Sequence, residues 1–300
     1  MPKRLSTTVA EALEGGAGSN GQDWLAELVA ATQLTPKGRE LVHLIERSPR
    51  LAAFASASEV AESAGVNAAT VVRFAQALGF RGWPHFQLHF RHHYLGSVLP
   101  SDVLRDRRRA ADPSPVEAAL EQDVENLEAS LASFDRVAAE LVAQLVAKAR
   151  RTLVLSSGSY SAVGLVFAHL ARFMGYDVTL ETRGGTDLVA QLGGLGANDC
   201  LIAISFWRLN KEVVLATKAA RNRGVSTVAL TDSIFSPLAR AAEHALVVPT
   251  ESTSFFQSTT AAMSMIYGLL ARLHILGGER VRETILTTQE LYGELDVLYG

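Results

Sequence analysis

Apolar residues follow two different periods along this chain. Up to about residue 150 they recur at intervals of three and four, the spacing of amphipathic helices; from Thr152 onward, short continuous apolar runs alternate with stretches of helical period. In the first part, Trp24, Leu25, Leu28 and Val29 mark a helix within 23–33. Thr35-Pro36 starts the next, a capping Thr before Pro at the first helical position, and Leu41, Val42, Leu44 and Ile45 supply its apolar stripe as far as Ser48-Pro49. Ser56 and Glu59 have capping-box spacing and open a third helix with Val60, Ala61 and Ala64 on its apolar face. Ala64-Gly65-Val66 makes a tight turn, with Gly65 free to take a positive φ. Asn67 caps a fourth helix that stops near Gly79. Trp83 and Phe86 then close a helical core that continues through 87–94. Two amphipathic helices are predicted at 116–133 and 135–150.

The second part predicts strands at 152–156, 177–181, 200–205, 225–231 and 245–250, separated by helices at 161–174, 186–192, 211–223 and 237–242. Strands without polar alternation, interleaved with helices, indicate a parallel sheet covered on both faces. A long apolar helix at 255–276 and an amphipathic one at 280–298 end the chain. The predicted fold class is therefore α + α/β: an N-terminal helical helix-turn-helix domain joined to a doubly wound, three-layer α/β/α domain. The expected divisions are a mobile tail at 1–21, the helical domain at 22–95, a linker at 96–115 rich in Pro and Arg, and the α/β body at 116–300.

On the fourth helix, at about 100° per residue, Val71, Phe74, Ala75 and Leu78 share one arc, and Ala69, Val72, Arg73 and Gln76 the opposite one. Arg and Gln can bond guanine and adenine edges with two hydrogen bonds each, and apolar groups can touch a thymine methyl. A solvated helix face would look similar; the helix–Gly turn–helix setting favours a DNA major groove. Charge adds to this. Residues 35–94 hold seven Lys and Arg against four Asp and Glu, a local +3 in a chain of net −3. That balance argues against a protein that coats nucleic acid, and allows a DNA-binding head on an acidic body.

The single cysteine, Cys200, excludes an internal disulfide and a cysteine metal cluster. His89 and His93 stand at i,i+4 without a third ligand, so with His85 and His92 they read as solvent- or phosphate-facing; no metal or cofactor is expected. Arg107-Arg108-Arg109 reads as a solvated linker cluster. There is no hydrophobic leader, and 259–276, the nearest approach to a membrane span, is interrupted by Arg272 and His274. A cytoplasmic protein with no membrane partner is expected.

Ligands of doubly wound sheets bind at the carboxyl ends of the strands. Three polar loops fall there: Ser157, Ser159 and Ser161 after the first strand, 205–211 after the third, and 250–254 after the fifth. Hydroxyls and helix-start N–H groups could hold a phosphate or carboxylate. No nucleophile elbow, Walker loop or zinc-protease motif is present, and Glu251, the one candidate base, reads as a solvated or capping carboxylate.

The segments Glu59-Val60-Ala61, Gly65-Val66-Asn67, Thr70-Val71-Val72-Arg73-Phe74 and Leu78-Gly79-Phe80-Arg81-Gly82-Trp83 resemble the heads of RpiR-type (MurR-type) bacterial transcription regulators. These join a helix-turn-helix domain to an SIS (sugar isomerase) domain, and the resemblance runs from about Leu34 onward. It implies double-stranded operator DNA as partner, contacted by Asn67, Ala69, Thr70, Val72, Arg73, Gln76 and Arg81. It also implies a phosphosugar-like anionic effector, for which the polar loops offer Ser157, Ser159, Ser161, Ser205, Asn210 and Ser254, with Arg208 as a further candidate where this loop departs from the family; it implies control of carbohydrate-type catabolic genes, and self-association to a dimer or tetramer through long helices such as 255–276. The family's S-x-S-G-x-T loop is Ser205-Phe206-Trp207-Arg208-Leu209-Asn210 here, with Trp207 and Arg208 replacing the second Ser and the Gly. Either Arg208 clamps the anion beside an aromatic wall from Trp207, or Arg208 forms an internal ion pair in an altered site. The alternative functions are a sugar-phosphate isomerase with an accessory head, and a head that binds another protein.

Overall fold

The computed structural model of the 300-residue chain describes residues 21–97, 114–234, 236–254 and 256–297. The chain divides into two compact units between Asp106 and Arg107. The expected tail up to residue 20, most of the expected linker with its arginine run, and Leu298 lie outside the described residues. Where the expected linker is described, it is helical at both ends: Gly96 and Ser97 finish one helix and Pro115 opens another.

The first unit has six described helices: α1 (Gly21–Ala30), α2 (Pro36–Arg47), α3 (Pro49–Phe54), α4 (Ala57–Ser63), α5 (Ala68–Ala77) and α6 (Trp83–Ser97). The caps act as the sequence predicts. Thr35 Oγ1 accepts from Gly38 N–H, Ser56 and Glu59 form a complete capping box, and Asn67 Oδ1 accepts from Thr70 N–H at 2.9 Å. The Ser56 hydrogen bonds hold the Glu59 carboxyl below its ordinary pKa. Helix α3 was not foreseen: Pro49 does not end helical structure but begins a new short helix. Its exposed carbonyl end is satisfied from far along the chain. Arg91 Nε donates to Ala53 O at 2.7 Å, Gln87 Nε2 to Ala55 O at 2.6 Å, and Trp83 Nε1 to Ala55 O at 3.1 Å. Trp24, Phe74, Phe80, Trp83, Phe86 and Phe90 form an aromatic centre in this unit's core.

The histidine expectation is corrected here. His89 is buried and stacks on Trp24, and His93 stacks on the same ring at 4.8 Å. Tertiary packing of α1 on α6 puts His89 in the core and lays half-buried His93 against Trp24, rather than facing phosphate. His85 is half-buried; burial, then the Arg81 charge, lowers its pKa, and its Nδ1 accepts from Arg81 N–H.

The second unit opens with α7 (Pro115–Ala132) and α8 (Arg136–Lys148). Then follow β1 (Thr152–Ser156), a 3-10 turn (Gly158–Tyr160), α9 (Ser161–Phe173), β2 (Val178–Glu181), α10 (Gly185–Gly193), β3 (Cys200–Ile204), α11 (Lys211–Asn222), β4 (Ser226–Thr231), α12 (Pro237–Ala241), β5 (His244–Val247) and α13 (Thr260–Glu294). All strand pairs are parallel, in the order β2-β1-β3-β4-β5. Side chains alternate between two cores. Val154, Cys200, Ile202 and Ile204 face the core shared with α8, α9 and α13. Leu153, Leu155, Leu201 and Ala203 face the core under α10, α11 and α12. Cys200 is wholly buried, which pushes its thiol up to about 12. Gly164 lets α9 lie close to the sheet; a Cβ there would come 2.9 Å from Leu180 and 3.0 Å from Val154.

Two expectations about the end of the chain change. The long helix begins at Thr260 rather than 255, because Asp123 on α7 accepts from the Ser258 and Thr260 hydroxyls and fixes the helix entry. The two predicted helices also join across Gly278, whose φ of 52° and ψ of −131° make a kink. By length and composition α13 is long and apolar enough to cross a membrane, where the sequence led us to expect no such stretch. In the fold its Ile266, Leu269, Leu270 and Leu273 belong to the core, and Arg272 bonds Glu140 of α8 through two contacts of 2.7 Å.

That pair has a pH signature. The Arg272 hydrogen bonds, with a further one from Gln144, hold the Glu140 carboxyl down at about 2. A carboxylate with a depressed folded-state pKa contributes stability above its unfolded value, and loses it as pH falls through the folded one. The window runs from about 4.5 down to about 2. In thermal melts across that window, Glu140→Gln should show a shallower fall of the melting temperature than the wild type. Equal slopes would remove this pair from the acid response.

Candidate functional site

The first candidate surface is the outer face of α5. Val71, Phe74 and Ala75 are buried against the first unit's core, while Ala69, Arg73 and Gln76 are exposed and Val72 is half-exposed. Gly65, at φ 64°, turns the chain between α4 and α5, closed by Val66 N–H donating to Ala61 O. Thr70 is buried: its hydroxyl donates to Asn67 Oδ1 at 2.9 Å and accepts from Arg73 Nη2 at 3.1 Å. Asn67 and Thr70 therefore shape the start of α5 and orient Arg73. Arg81 is exposed just beyond the helix.

The second candidate site lies at the carboxyl edge of the sheet. The chain leaves β1 for β2 on one side and then places β3 on the other, so strand order reverses between β1 and β3. Such a reversal opens a crevice at the strand ends. Asn210 bridges it, with Nδ2 donating to Ser157 Oγ at 3.1 Å while Oδ1 caps α11 through Glu212 N–H. Tyr160 packs edge-on against Phe206, with ring centroids 5.1 Å apart. Burial, then the Asp232 charge, pushes the Tyr160 hydroxyl up to about 12.

Several backbone donors along this edge are occupied by the protein's own side chains. Glu181 Oε1 accepts from Arg183 and Gly184 N–H, and Glu212 Oε1 accepts from Gly185 N–H at 2.6 Å, filling the start of α10. Ser236 Oγ caps α12. Asp232 Oδ2 accepts from Trp207 N–H at 2.8 Å. Helix α9 differs: its N-terminus has no side-chain cap, and the Ser156 and Ser161 hydroxyls beside it are buried with no hydrogen-bond partner among the described residues. Buried orphan hydroxyls are uncommon and mark a place where a polar partner fits.

The structure brings Ser157 and Asn210 together and sets Ser159 and Ser161 at the entry to α9. Ser205 is buried at the end of β3. Arg208 is exposed and forms no ion pair among the described residues, so the internal-pair alternative has no partner there. Trp207, not Arg208, takes the left-handed conformation, at φ 53°; its indole is largely buried and presents little wall to a ligand. Ser254 is exposed, and its hydroxyl bonds locally with Ser252 and Phe256. Asp232, Tyr160 and Glu212 were missed as site residues; their position after a strand or at a helix start was the available signal. Asn126 and Asp123 were missed as well. They tie α7 to the 250–260 loop, Asn126 Nδ2 donating to Glu251 O at 2.8 Å.

Comparison with known proteins matches this architecture. Residues 28–95 match the helix-turn-helix domain of the rpiR family, and residues 145–272 match the SIS domain. An uncharacterized HTH-type transcriptional regulator of Haemophilus influenzae is 28% identical over 222 residues, covering 71% of this chain and 75% of that protein. The sugar isomerase domain of an RpiR transcription factor from Sphaerobacter thermophilus is 31% identical; the match covers 60% of this chain and 99% of that one, with a TM-score of 0.57. The Vibrio vulnificus NanR protein, solved in complex with ManNAc-6P, shares the fold at 19% identity and a TM-score of 0.58, over 92% of this chain and 99% of that one. A helix-turn-helix head and a doubly wound body of this kind define a DNA-binding transcriptional regulator. The chain belongs to the RpiR family, with an SIS domain as its body.

Proposed function

We propose that the SIS domain senses a phosphosugar or related anionic metabolite and thereby controls operator binding at carbohydrate-type catabolic genes. The observation that carries this reading is the uncapped start of α9, with the orphan hydroxyls of Ser156 and Ser161 at the strand-order reversal. An anion there would meet the N–H groups that open the 3-10 turn Gly158–Tyr160, which leads directly into α9 and whose N-cap Ser157 makes no side-chain cap, together with hydroxyl donors. The effector set is Ser157, Ser159, Ser161, Ser205, Arg208 and Asn210, with Ser254 on the third loop. The fold relative that carries ManNAc-6P is in line with this assignment.

The DNA face is Ala69, Val72, Arg73, Gln76 and Arg81, with Asn67 and Thr70 holding it in shape. The working divisions are a head at 22–95, a linker at 96–115 and a body at 116–300. The protein acts in the cytoplasm without catalytic turnover, as a dimer or tetramer whose paired heads read a palindromic operator. Effector binding shifts the body and so the relation of the heads.

A gel-shift assay with DNA flanking its own gene, with and without a panel of sugar phosphates, tests the reading. A shift that one sugar phosphate abolishes or induces supports it; turnover of a sugar phosphate by the purified protein would favour the isomerase alternative. Arg208→Ala should weaken the effective sugar phosphate by roughly tenfold, a charge-assisted contact reduced by solvent exposure. Unchanged affinity would leave α9 as the anion holder and remove Arg208 from the site.

A further inference from the structure

In chain order α7 is the first described helix of the body, and polar bonds to one loop hold it there. Asn126, 2% exposed, is its buried residue, and Leu127 beside it is partly buried, while Val116, Leu120, Val124 and Leu131 are exposed. The Asn126 amide donates to Glu251 O at 2.8 Å. One turn earlier, half-buried Asp123 accepts from the Ser258 hydroxyl and, at 2.6 Å, from the Thr260 hydroxyl. The loop across these bonds is closed at its base. Ser258 N–H donates to Thr250 O at 3.1 Å, and Thr250 Oγ1 donates to Gln257 Oε1 at 3.4 Å. Its tip folds on itself through the hydroxyls of Ser252 and Ser254. A loop whose ends meet and whose side chains bond within it is a compact unit. Glu251 and Ser258 are its two legs, and α7 holds both. Because the loop follows β5 of an all-parallel sheet, it leaves the sheet at the same edge as the loops that carry Ser157 and Asn210.

We infer that Asp123 and Asn126 are positioning residues through which the 250–258 loop moves α7, so that an effector touching this loop acts on the helix into which the 96–115 linker runs. The direction and cost of the bonds give the reason. Moving Glu251 O without α7 would leave a buried amide without its acceptor, and an unmade buried hydrogen bond costs more than a made one contributes. Asp123 is a charged acceptor, and its bonds to two hydroxyls are roughly twice as strong as neutral ones. Leu127 alone, an apolar contact without direction, would let the helix slide. Helix α7 therefore follows the loop, and the rest of its surface is free to shift because little of it is packed.

This rests on the body sensing an anionic effector, and the experiment separates the two. Cys200 is the chain's only cysteine and is buried, so Glu117→Cys on the first turn of α7 can carry an environment-sensitive dye in the full chain. Calorimetric titration with glucose-6-phosphate, fructose-6-phosphate, gluconate-6-phosphate and N-acetylglucosamine-6-phosphate finds the compound that binds. That compound should change the dye emission and alter affinity for the DNA flanking the gene by about 5–150-fold. In Asp123→Ala/Asn126→Ala it should still bind, within about threefold of the unsubstituted chain. The dye response should be lost, and the effect on DNA affinity should fall to about twofold or less. Asp123→Asn is isosteric and keeps one carbonyl oxygen for two hydroxyls; it should give a reduced response, and it carries the test if thermal melts show the double variant unfolded. Ser130→Ala loses a bond within α7 and should respond in full. A folded double variant that responds in full would overturn the inference, and so would one that no longer binds the compound. A DNA response without a dye response in the unsubstituted chain would overturn it too, and leave sensing standing. If none of the four compounds binds, or one binds without changing DNA affinity, the sensing reading falls and takes this inference with it.

Discussion

Arg73→Ala and Gln76→Ala should each weaken binding to the cognate operator by tenfold or more at every half-site, and change binding to unrelated DNA far less. A bidentate base contact carries about 1–3 kcal/mol of discrimination, so losing it at two half-sites compounds. Both side chains are exposed on α5, whose opposite face is fixed in the core by Val71, Phe74 and Ala75. Arg73 is also pre-oriented by Thr70, which Asn67 holds in turn. Thr70→Val should therefore weaken operator binding although Thr70 is buried, and do so by freeing Arg73 rather than by losing a DNA contact. Fluorescence anisotropy with operator and scrambled duplexes at one salt concentration is the measurement. Equal losses on both duplexes would make Arg73 and Gln76 phosphate-positioning residues instead.

The largest stability effect falls on Phe86. Its ring is fully buried and sits within 6.0 Å of the rings of Trp24, Phe74, Phe80, Trp83 and Phe90. Truncating a core Phe to Ala costs about 3–5 kcal/mol, a large share of what a domain of this size has in reserve. Phe86→Ala should lower the melting transition of the head by roughly 15–30 °C and abolish operator binding at 37 °C. The body has cores of its own on the two faces of its sheet, so its transition and its effector affinity should be unchanged. Calorimetry of the full chain separates the two. A fall below about 5 °C would mean that the aromatic centre collapses around the missing ring.

The elements that local chemistry controls were legible beforehand. Ser56–Glu59, Asn67 and Thr35-Pro36 act through hydrogen bonds spanning three residues, so the sequence names both partners. The five parallel strands were legible because burial on both faces forces unbroken apolar runs. Helix α3 was hidden: six residues are too few to show a period, and its carbonyls are satisfied by Trp83, Gln87 and Arg91 about thirty or more residues away. His89 and His93 were misread because their i,i+4 spacing says only that they share a helix face, and not that Trp24 lies against it.

The candidate site divides in the same way. The sequence by itself determined the helix-turn-helix, the outward set of Ala69, Arg73 and Gln76, and the polar loops at the strand ends, because these follow from period, caps and strand–helix alternation. Only the tertiary structure decided which of those loops remains open. Asp232 reaches Trp207 from the next strand, Glu212 reaches Gly185 from the next helix, and Asn210 reaches Ser157 across the strand-order reversal. A donor's occupancy depends on what folds against it, and those partners lie 25 to 53 residues away along the chain. The uncapped 3-10 turn that leads into α9 is what these long-range bonds leave over.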